Sequence, residues 1–155
     1  MSITAWERMA KGIADDPELK GLTDAQIEAI IDVLALAIHA DRSVSPVEVA
    51  GFNHLFFDLA WLEGRHQLVR DHVPGAAKRA VAAGADPEAA RSLITAAASV
   101  ISSGALREKV FEMAVSLASV DTKVKPEERE VLRALADGFG IDEGRRTAIV
   151  DAIDT

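Results

Sequence analysis

Two short acidic turns carry the residues best suited to chemistry: Asp41-x-x-Val44-x-Pro46-x-Glu48 and, further on, Asp121-x-x-Val124-x-Pro126-x-Glu128. In each, an aspartate and a glutamate bracket a proline. Hard divalent cations need several oxygen ligands, and two carboxylates with the backbone carbonyls of one turn can supply them. The spacing is not that of an EF-hand. Counted from Asp41, the obligatory glycine position is Pro46 and the bidentate glutamate position is Phe52. In the second copy Lys123 and Lys125 occupy ligand positions, so Asp41 and Glu48 make the better cation candidate and Asp121 and Glu128 the poorer one.

The same residues also have a purely structural reading. Each aspartate stands at the C-terminal end of a helix, where the macrodipole disfavours negative charge. It can offset this by accepting hydrogen bonds from amides of the following turn. Glu48 and Glu128 fall in the first turn of the next helix, where a carboxylate is favoured. Ser45, Pro46 and Glu48 complete a capping box, whereas Lys125 stands where Ser45 would be in the second copy.

Histidine gives one further metal candidate. His39 precedes Asp41 closely enough for a His39/Asp41/Glu48 grouping that would hold zinc with an open position. His54, His66 and His72 lack a His-x3-His spacing, and the interval from His66 to His72 does not align on one helix face. A surface or half-buried structural role is the plainer reading for each. Enzyme motifs are missing: Ser102-Ser103-Gly104 lacks a nucleophile-elbow context, and no Gly-Lys-Ser/Thr follows Pro74-Gly75. The expected protein is therefore not an enzyme, with no catalytic residue and no organic cofactor to assign.

Helices must position these turns. Hydrophobic residues make up 49% of the 155-residue chain, yet only 5% is aromatic and there is no tyrosine. Alanine dominates, which favours helices and their close approach. Beta-branched residues do not gather into alternating runs, so strands are not expected. The length suits one domain, 1–155, that folds without staples. The absence of cysteine removes disulfides and thiolate metal sites.

A net charge of −8, with 17 basic residues dispersed among 25 acidic ones, argues against nucleic acid and anionic membrane surfaces. No run is long and apolar enough to span a bilayer, because Asp32 breaks the best one. With charges where a signal peptide needs its apolar region, the chain reads as soluble and cytoplasmic.

Local signals predict seven to eight helices. The first, about residues 3–14, carries Trp6, Met9 and Ile13 and ends at Asp16-Pro17. Leu22-Thr23-Asp24-Ala25-Gln26 opens the second with a capping box and a stripe of Ile27, Ile30, Ile31, Leu34 and Ile38. The third follows Pro46, with Val49, Phe52, Leu55, Phe56 and Leu59 on its buried face. Val73-Pro74-Gly75 predicts a break between two short helices. Asp86-Pro87 opens a helix with Leu93, Ala97, Val100 and Ile101 facing inward, and Ser102-Ser103-Gly104 interrupts it. The next runs to about Val120. Pro126 opens another, with Leu132, Leu135 and Phe139 inside and Gly138 and Gly140 at its end. Asp142 caps the last.

Offset by 80 positions, residues 36–61 fall on residues 116–141. The shared Asp, Val, Pro and Glu lie within a single turn, with a helix before and after in both copies. Two pseudo-symmetric helix–turn–helix units, about 22–61 and 105–141, are expected.

This arrangement resembles the TerB-like family of tellurite-resistance proteins, all-helical domains with an Ala-Asp-Gly-x-Val-x-x-x-Glu turn in each half. Ala40-Asp41, Val44 and Glu48 match in the first unit, and Asp121, Val124 and Glu128 in the second. The family's glycine is replaced by Arg42 and Thr122. The resemblance implies a non-enzymatic role in chemical-stress response, within a membrane-associated multiprotein system. It also implies an acidic surface that takes a protein partner and a divalent cation. A metal-independent adaptor that grips its partner in a helical groove is the alternative, and an uncharacterised enzyme a third reading.

Overall fold

The structure, a computed structural model, describes residues 21–39, 64–84, 86–118 and 126–154. Six helices and no strands occur among the described residues: α1 (Asp24–Ile38), α2 (His66–Ala83), α3 (Pro87–Val100), α4 (Gly104–Ala118), α5 (Pro126–Gly138) and α6 (Glu143–Asp154). The all-α class agrees with the sequence reading. The count is six against the seven to eight expected. The helices expected over residues 3–14 and after Pro46 lie outside the described residues, as does the first repeat's turn. Of the two expected repeat units, the second has both helices described, and α4 and α5 pack on each other.

Helix α1 starts as its local sequence dictates. The Gln26 amide donates to Thr23 Oγ1 at 3.2 Å and the Thr23 amide to Gln26 Oε1 at 3.0 Å, so two orphan donors are satisfied reciprocally. Beyond the cap, burial exceeds the single stripe expected. From Ala29 to Ile38 every residue but Asp32 is buried, and α1 packs on α2, α3, α4 and α5. It is the central helix, apolar nearly all round because partners enclose it.

Helix α2 corrects the expected break: His66–Ala83 is continuous, with Pro74 inside it. Pro74 lacks the amide that would bond the Arg70 carbonyl, a cost of about 3 kcal/mol in a helix interior. Both residues are exposed, so water reaches the gap. Val69, Ala76, Ala80 and Ala83 are buried on either side of it and hold the two halves in line against α1.

The remaining caps are local and match the sequence. The Glu88 amide donates to Asp86 Oδ1 at 3.0 Å, and the Arg145 amide to Asp142 Oδ1 at 2.9 Å. Helix α5 ends in a Schellman motif. Gly140 takes φ +68°, its amide donates to the Asp137 carbonyl at 3.1 Å, and the Ile141 amide reaches back to Ala136 at 2.9 Å. Along α3 the inward face is turned from the expected one. Ala97 and Ile101 are buried, but Ala90, Ile94 and Ala98 share the core with them, while Leu93 and Val100 are only half-buried.

Helices α3 and α5 meet closely at Gly138, where a Cβ would overlap Ile94 Cγ2. Arg107 of α4 ties the same two helices at their C-terminal ends. Its guanidinium donates to the carbonyls of Ile101 at 2.6 Å, Ala98 at 2.7 Å and Phe139 at 3.3 Å, and lies 5.9 Å from the Phe139 ring centroid. A cation is well placed there, because helix C-termini leave carbonyls without amide partners.

Candidate functional site

Of the residues singled out from the sequence, Asp41, Glu48 and Asp121 lie outside the described residues, and Glu128 is described only as part of the first turn of α5. His39 is the C-cap of α1, half-buried, its amide donating to the Ala35 carbonyl at 3.0 Å. Its own carbonyl passes beside Gly84 at the end of α2, where a Cβ would stand 3.4 Å away. In sequence, residues 41–48 follow the end of the central helix, and Asp121 lies between α4 and α5.

The described helices bring together a different group. Asp32, the residue that breaks the apolar run of α1, accepts on Oδ1 from Arg79 at 2.9 Å and lies 2.8 Å from His72 Nε2. His72 Nδ1 is 3.2 Å from Glu28 Oε2, one turn back along α1. Arg79 NH2 also stands 3.3 Å from His72 Nε2. His72 and Arg79 flank Pro74 on α2 and converge on one carboxylate of α1. The continuous helix is therefore clamped to α1 from both sides of its proline.

This cluster lines part of a cleft of about 600 Å³ between α1, α2 and α3. Alanines form half of its lining, with the half-buried Leu93 and Val100 of α3 opening onto it. Among the described residues no group of three or more acidic or histidine side chains is placed to hold a metal ion. Glu28, Asp32 and His72 accordingly form a hydrogen-bonded charge cluster. A second cleft, of about 700 Å³, lies between α3 and α5 and is bordered by Arg91, Glu130, Arg133 and Asp137.

Sequence reasoning passed over this cluster, because its members are spread over two helices. His72 and Asp32 are 40 positions apart and Arg79 and Asp32 47, beyond the reach of any same-helix spacing rule. One signal was present: a lone aspartate inside an otherwise apolar helix needs a partner from elsewhere.

A buried central helix packed among five others, with no strand among the described residues, defines the structural class. The family model of the tellurite resistance protein TerB matches residues 27–150. That match covers most of the chain, and the chain belongs to the TerB family. No curated protein and no solved structure matched it.

Proposed function

We propose that this TerB-family chain is a non-enzymatic binding module of a tellurite-resistance or chemical-stress response. Its acidic turns form the working surface, for a protein partner and, at the first turn, for a divalent cation. The observation that carries this reading is the extent of the family match, which includes both turns and the helices that flank them. Asp41 and Glu48 supply the cation's carboxylates, with His39 adjacent as a nitrogen donor. Lys123 and Lys125 weaken the second turn as a cation site, leaving Asp121 and Glu128 to the partner surface. The partner belongs to a membrane-associated complex and the module itself is cytoplasmic. Among the described residues no helix is long and apolar enough to cross a membrane.

Isothermal titration of the full chain with calcium, magnesium and zinc tests the cation. The expected result is saturable heat from at least one ion, lost in the Asp41→Ala/Glu48→Ala variant. Equal heats from both proteins would remove the cation from the account. The alternative, a metal-independent adaptor, draws on the open cleft between α3 and α5. Partner capture with and without chelator separates the two, because an adaptor keeps its partner in chelator and an ion-dependent module releases it.

A further inference from the structure

The cleft between α1, α2 and α3 has a chemistry of its own, independent of the acidic turns. Glu28 and Arg79 sit at opposite nitrogens of one imidazole. Glu28 Oε2 is 3.2 Å from His72 Nδ1, and Arg79 NH2 is 3.3 Å from His72 Nε2. Both border the cleft, and both keep access to solvent, with side chains 40% and 51% exposed. Folding uses only part of their capacity. Glu28 engages one carboxylate oxygen and Arg79 one terminal nitrogen, which leaves the other oxygen and the remaining guanidinium donors without partners among the described residues. One acceptor anion and one donor cation are thus offered side by side, two hydrogen-bond lengths and a ring width apart. Beyond them the walls are apolar, formed by Ala29, Leu93, Ala97 and Val100. A cleft of about 600 Å³ with apolar walls and a few convergent polar groups has the proportions of a small-molecule site.

The geometry points to a zwitterion of the amino-acid type with an apolar side chain as the ligand of this cleft. Its ammonium group donates to Glu28, its carboxylate accepts from Arg79, and its side chain lies along the α3 wall. A simple organic cation would leave Arg79 unused and a simple anion would face Glu28 and Asp32. The paired charges therefore favour a ligand that carries both signs.

Titration of the full chain with L-phenylalanine, followed by amide chemical shifts, tests the assignment against N-acetyl-L-phenylalanine and L-phenylalaninamide. The expected result is saturable shifts along α1, α2 and α3 with the zwitterion, and about tenfold weaker binding of each one-charged analogue. Glu28→Gln should weaken the zwitterion without weakening the N-acetyl compound, which loses a like-charged neighbour. Arg79→Gln should weaken the zwitterion without weakening the amide, for the same reason. Ala96→Phe, at an exposed position of the α3 wall, should fill the cleft and abolish all three. Absence of saturable shifts in the cleft overturns the proposal. So does an amide that binds as well as the zwitterion and survives Ala96→Phe, which marks general attraction to an acidic protein. An N-acetyl compound that binds equally well overturns it too.

Discussion

Two polar centres hold the described helices together, and they are built on opposite principles. At Arg107 a single cation meets three backbone carbonyls at the ends of α3 and α5, with no carboxylate among those partners. At Asp32 the side chains of Glu28, Asp32, His72 and Arg79 share the task between α1 and α2. Removing Arg107 strips the side-chain donor from all three carbonyls at once. Removing one member of the Asp32 cluster leaves neighbours that water or one another can serve. The Arg107 centre is spent on folding, and the Asp32 centre has capacity to spare, which is why a cleft beside it can be a site.

Substitutions can break or sharpen this contrast. Arg107→Ala should be the most damaging, at about 2–4 kcal/mol, because it strips charge-assisted hydrogen bonds from two helix ends at once. Urea unfolding measures it, and a loss no greater than that of Asp32→Ala would invert the comparison. Arg107→Lys should recover only part, since an ammonium cannot reproduce the fork that spans Ala98 and Ile101. Gly138→Ala should follow at about 1–3 kcal/mol, as the added methyl meets the side chain of Ile94 where both helices are closest. Coupling between this change and Arg107→Ala, measured in a double-mutant cycle, would show that the two contacts hold one interface. Asp32→Ala should cost least, about 1–2 kcal/mol, because Glu28, Arg79 and solvent take up the freed groups.

The sequence made its locally encoded features legible. The Thr23/Gln26 box, the Asp86 and Asp142 caps and the glycine at the end of α5 need only neighbouring residues, and each is present as expected. Features decided by packing were hidden. Pro74-Gly75 reads as a break, yet buried Val69, Ala76, Ala80 and Ala83 keep α2 whole. The one-sided stripe of α1 is enclosed on every side because four helices surround it. His72 was judged by its spacing from another histidine on the same helix, whereas its partners, Glu28 and Asp32, come from a different helix. For the acidic turns, family membership was legible from a short run of residues, since the family match includes them. The positions of Asp41, Glu48 and Asp121 fall outside the described residues.

The central functional claim concerns the first turn, and an anomalous-difference map tests it most directly. Crystals of the full chain soaked in manganese should show a peak between the carboxylates of Asp41 and Glu48, and none at Asp121 and Glu128. An empty first turn under those conditions would contradict the account, as would a peak confined to the second.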